Sequence, residues 1–123
     1  MIVVSNTTPL SELAKVGQMD LLGQVFGQVI IPQEVYDEVT TGTHPAVREV
    51  RAVTWIEVRL ISNPEQVSTL QTETGLDLGE CAAIVLAEEL EADIVLIDEW
   101  AARKVAQSRN LPVTGTAGTL LYI

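Results

Sequence analysis

The side chains in this sequence that can do chemistry are almost all oxygen donors. Asp and Glu number 17 in 123 residues, against one His and one Cys. Four positions stand out by where they fall. Asn6 ends the apolar run IVVS, and Asp98 ends IVLI with Glu99 beside it. Glu80 opens the long apolar stretch CAAIVLA, and Glu38 lies in PQEVYDEVT. Each has an ordinary structural explanation. Asp98 is a good helix N-cap, and Asp77 with Glu80 three residues on matches a capping box. At about 100° per residue, Glu38 borders the apolar stripe of Val35 and Val39, with Glu34 further round the edge and Asp37 facing solvent. Together they say more. Three carboxylates in one cleft raise one another's pKa unless a cation lies between them. No Lys or Arg adjoins Asn6, Glu38 or Glu80. Hard oxygen ligands without His or Cys select Mg2+ or Mn2+. Such an ion orients water, lowers its pKa and stabilises charge on a phosphodiester. The candidate ligands and catalytic residues are therefore Asn6, Glu38, Glu80 and Asp98.

That chemistry requires elements that bring distant residues together. The chain alternates β-branched runs with longer helical stretches. Strands are predicted over 2–5, 28–31, 55–58, 94–97 and 112–114, and helices over 9–16, 19–26, 32–40, 45–52, 65–72, 79–91 and 99–109, with a final turn from 117. The first and fourth strands are apolar on both faces, as central parallel strands covered by helices are. The helix begun by Glu80 is apolar nearly all round, which places it inside the domain. The expected architecture is a single α/β domain over 1–123, a doubly wound and mostly parallel sheet of about five strands flanked by helices. Ligands bind such sheets at the carboxyl ends of the strands, near the point where strand order reverses. In SNTTP, Thr8 is expected to cap the helix that Pro9 starts, and Pro32 to sit in a first helical turn.

Composition narrows the field. An apolar share of 47% supports a full core. No apolar run approaches the ~20 residues of a membrane span, and no signal peptide is expected. One cysteine, Cys81, allows no internal disulfide, and His44 lies in the loop-like TTGTHP. These features fit a reducing cytoplasmic compartment. A net charge of −10 argues against a broad basic face for nucleic acid. Arg103 and Lys104, near Asp98, could meet a phosphate, but solvated helix-face charge is the favoured explanation.

The ordered set VVSNTTPL, IIPQEVYDEV, LGECAAIVLA, IVLIDEWAARKVA and LPVTGTAGTLL resembles the successive motifs of PIN-domain proteins, most of all a prokaryotic branch related to VapC-type toxin ribonucleases. The resemblance spans nearly the whole chain. It implies an acidic pocket holding Mg2+ or Mn2+ and hydrolysis of RNA, single-stranded or structured. It implies a toxin paired with a small antitoxin protein, and a homodimer. The apolar ending Leu120-Leu121-Tyr122-Ile123 also calls for cover from the domain or a second subunit. By position, Asn6 stands where the family usually has its first aspartate, and Glu38, Glu80 and Asp98 match the other acids. Thr7 matches a small hydroxyl residue beside the first acid, and Glu99 adjoins the last; both are candidate supports of the site. Asn6 departs from the pattern, since an amide oxygen can ligate an ion but brings no charge. That leaves a ribonuclease and a catalytically weak or silent module binding RNA or a protein as competing expectations. A phosphoacceptor receiver domain is set aside: Asn6, VRLIS and VTGT stand where it needs paired acids, an aspartate and a lysine.

Overall fold

The computed structural model describes residues 1–120, without the side chain of Leu120. Its order is β1(Val3–Ser5), α1(Thr7–Lys15), α2(Asp20–Phe26), β2(Val29–Pro32), α3(Gln33–Val39), α4(Val47–Ala52), β3(Ile56–Arg59), α5(Pro64–Thr74), α6(Leu78–Leu90), β4(Ile94–Leu96), α7(Trp100–Ser108), β5(Val113–Thr114) and α8(Thr116–Leu120). The strands form one sheet in the order β3-β2-β1-β4-β5, and every pairing is parallel. The chain steps outward from β1 through β2 to β3, then returns to the other side of β1 as β4. The switch point is therefore the seam between β1 and β4.

Side-chain alternation divides the core. Val4, Ile30, Val95 and Ile97 point to the layer built by α5, α6 and α7. Val3, Val29, Ile31, Ile94 and Leu96 point to the layer of α1 to α4. The register sets Val4 beside both Ile30 and Val95, so residues of like direction share a face. β1 and β4 are buried throughout, as their two-faced apolar character required. Gly79 through Ala87 of α6 are buried as well. A helix apolar all round can bury two sides, and α6 does so between the sheet and α5.

Three local expectations fail. Pro32 does not sit in the first turn of α3. It ends β2 in register with Arg59 and caps α3 from outside, with φ −71° and ψ 157°. Proline's locked φ suits an extended residue as well as a helical one. Thr8 does not cap α1: the helix starts earlier, after Asn6 as N-cap, and Thr8 makes a different bond. Asp98 does not cap α7, whose N-cap is Glu99, with no side-chain capping bond. The apolar ending lies outside the described residues from Leu121 onward. Among the described residues, no helix is long and apolar enough to cross a membrane.

Candidate metal and catalytic site

Asn6 extends the β1–β4 ladder by one step, its backbone N–H donating to the Leu96 carbonyl at 3.0 Å. It lies at the carboxyl end of the switch seam and is 3% exposed. Its side chain is held on the nitrogen side by Glu99, with Nδ2 donating to Oε2 at 3.5 Å. Thr8 Oγ1 donates to the other Glu99 oxygen. These two donors hold Glu99, which follows β4, over the end of β1.

The oxygen side of Asn6 meets the first turn of α6. A Cβ on Gly79 would lie 2.8 Å from Glu38 Oε2, 3.3 Å from Asn6 Oδ1 and 3.7 Å from Asp77 Oδ1. Three oxygens from three elements thus crowd a space that exists because Gly79 has no side chain. Glu38 arrives from α3, which packs directly on α6. A helix N-terminus of 13 residues attracts these carboxylates through its backbone dipole. Thr7, at the start of α1, has its Oγ1 buried with no hydrogen-bond partner among the described residues.

The capping box on α6 is present in full. Asp77 Oδ1 accepts from the Glu80 N–H at 2.8 Å, and Glu80 Oε1 accepts from the Asp77 N–H at 3.1 Å. Glu80 is buried, and burial pushes its carboxyl pKa up. The Asp77 N–H works against that rise, while the charges of Asp77 and Glu99 add to it. The carboxylates of Asp77 and Glu99 therefore both act on Glu80.

Asp98 looks elsewhere. Its Oδ1 and Oδ2 accept from the backbone N–H and the hydroxyl of Thr116. A Cβ on Gly115 would lie 2.7 Å from Asp98 Oδ1 and 2.8 Å from Arg103 Nη1. Asp98 thus ties the end of β4 to the turn between β5 and α8, beside a guanidinium. Of the four residues proposed from sequence, Asn6 and Glu38 share the Gly79 cradle. Glu80 borders it through Asp77, and Asp98 faces the Thr116 turn. Asp77 was read from sequence as a cap alone. A cap and a ligand need the same side chain at the same helix end, so the pattern carried no sign of the second role.

The donors fit a hard dication in kind: amide and carboxylate oxygens, no sulfur, no imidazole. They do not form an all-carboxylate cage. Among the described residues no three His, Cys, Asp or Glu side chains are grouped so as to hold a metal ion. A ligand set at this place would draw on the amide of Asn6 together with Glu38 and Asp77.

No curated protein matches the chain. A family model described as PIN domain matches residues 2–123, a span that takes in all the strand ends above. PIN domains are generally nucleases and typically use divalent metals. The five parallel strands and the near-complete match agree, and the chain belongs to the PIN-domain family.

Proposed function

We propose that this protein is a Mg2+- or Mn2+-dependent ribonuclease hydrolysing phosphodiester bonds, the toxin half of a toxin–antitoxin pair. The observation that supports this most is the convergence of Asn6 Oδ1, Glu38 Oε2 and Asp77 Oδ1 on the bare backbone of Gly79 at the switch seam. A dication there supplies a polarised water and neutralises charge on the phosphate. Asn6, Glu38 and Asp77 are the residues that would hold it. Glu99 and Thr8 keep the Asn6 amide turned so that Oδ1 faces the cradle. Glu80 Oε1 is engaged by the Asp77 N–H, which leaves Oε2 to accept a proton from water. Asp98 contributes through the Thr116 turn, where Arg103 adds positive charge near the phosphate path.

The protein is read as cytoplasmic and homodimeric, with a small protein antitoxin as its second partner. Light scattering at micromolar concentration tests the dimer, and one subunit's mass would refute it. The ribonuclease reading is tested with single-stranded RNA and Mn2+, beside Glu38→Gln and Asp98→Asn controls. Cleavage in the parent that is lost in Glu38→Gln supports it. A second reading is a silent module that binds RNA or protein without cutting it. The neutral Asn6, already engaged by Glu99, favours it specifically. Equal background in the parent and both controls selects that reading.

A further inference from the structure

We infer that Trp100 is a stacking platform for an unpaired RNA base beside the acidic site, with Lys104 and Arg103 receiving the adjoining phosphate. The inference rests on the ribonuclease reading and deepens it: the substrate is single-stranded where it is held. Trp100 opens α7 and is 73% exposed. The other tryptophan, Trp55, is packed, with ring atoms 2.7 to 2.8 Å from where a Gly23 Cβ would stand. Trp100 directly follows Glu99, whose carboxylate reaches Asn6 and Thr8. One residue therefore separates the ring's backbone from the site.

Charge points to the same occupant. At −10 the protein repels a polyanion over most of its surface. Lys15, Arg59 and Arg109 are neutralised by Glu12, Glu57 and Glu88. Arg48, Arg51, Arg103 and Lys104 are in no ion pair among the described residues; of these, Arg103 and Lys104 lie on the helix that Trp100 opens. Lys104 Nζ instead lies 5.2 Å from the centroid of the Trp100 ring. An aromatic plane with an uncommitted ammonium over it, and a guanidinium one turn away beside Asp98, is what a nucleotide needs, a flat base with an anion attached. An aromatic anchor for a protein partner sits among apolar contacts. The neighbours of Trp100 along the chain are Asp98, Glu99, Ala101, Ala102, Arg103 and Lys104, four charges and two alanines.

The test uses the full chain with Trp55→Phe, so that Trp100 is the remaining tryptophan. A short unstructured oligouridylate is mixed with it in Mn2+ by stopped flow, and fluorescence is read before turnover. Binding is expected to quench Trp100. With binding read for every variant by the anisotropy of the same oligouridylate carrying a fluorescent label, Trp100→Ala is expected to weaken binding about 5- to 150-fold, the loss of one stacked base. Trp100→Phe keeps a π face and is expected to restore most of it, and Mn2+ affinity is expected to stay unchanged in both. Undiminished binding by Trp100→Ala, or equal quenching by a duplex of the same length, overturns the inference. Cleavage that survives in that event leaves the ribonuclease reading intact. Neither binding nor cleavage by the parent removes both. A Trp100→Ala effect confined to capture of a protein partner overturns it in favour of a protein contact.

Discussion

Replacing Asn6 by Asp restores the charge the cleft lacks, and the structure says what that costs. The Asn6 amide nitrogen lies 3.5 Å from Glu99 Oε2 and donates to it. In Asn6→Asp an oxygen takes that place, and an attraction becomes a repulsion. Two unit charges at that distance repel by about 1 kcal/mol at the dielectric of water and about 5 kcal/mol at an effective value of 20. Position 6 is 3% exposed, but Glu99 is only half-buried, which favours the lower half of that range. Glu38, on the other side, adds repulsion of the same sign. The expected destabilisation without metal is about 1–3 kcal/mol, or a melting point lower by about 4–12 °C for a domain of this size. Mn2+ reverses the sign of the argument, because the new carboxylate becomes a charged ligand. The variant's melting point is therefore expected to rise more on adding Mn2+ than the parent's does, by the linkage of binding to folding. Differential scanning calorimetry in EDTA and in Mn2+ measures both quantities. A variant as stable as the parent in EDTA, with an equal rise in Mn2+, would show that position 6 does not face the site.

Gly79→Ala puts a methyl group 2.8 Å from Glu38 Oε2, and the flexible end of Glu38 must swing away. Calorimetric Mn2+ affinity is expected to fall. Metal-free stability is expected to hold or rise by up to about 1 kcal/mol, since alanine is the better helix residue. Glu80→Gln tests the raised carboxyl pKa in metal-free protein. Because the folded value lies above 4.5, the parent has that stability in full below pH 4.5 and loses it as pH rises through the folded value. The variant lacks this slope, so its melting point relative to the parent is expected to climb from pH 4 upward, and a constant offset refutes the argument. Asp98→Ala strands the N–H and hydroxyl of Thr116. Urea unfolding should show a loss of about 1–3 kcal/mol, and no loss would mean that the Thr116 turn is not held by Asp98.

Much of this architecture was legible because it rests on burial. Strands apolar on both faces, such as IVV and IVL, can only be central and parallel, and each predicted strand falls within a residue of its place. The all-apolar α6 likewise had to lie inside. What was not legible lies at the strand ends, where the pleat stops and alternation no longer says which way a side chain points. Asp98 and Glu99 are adjacent acids with equal claims in the sequence. In the structure one reaches Thr116 and the other Asn6. Thr8 shows the same ambiguity: its hydroxyl can cap a helix or bind a carboxylate 91 positions away, and only packing decides. Gly79 was invisible as a site residue because its contribution is an absent side chain.

The central claim is that oxygens from Asn6, Glu38 and Asp77 hold one hard dication at the seam of β1 and β4. Crystals grown with Mn2+ and measured at its absorption edge test it directly. The account predicts an anomalous peak about 2.1 Å from Asn6 Oδ1, with Glu38 in the same coordination sphere. A fully occupied peak bound elsewhere, or none beside Asn6 at saturating Mn2+, would contradict it.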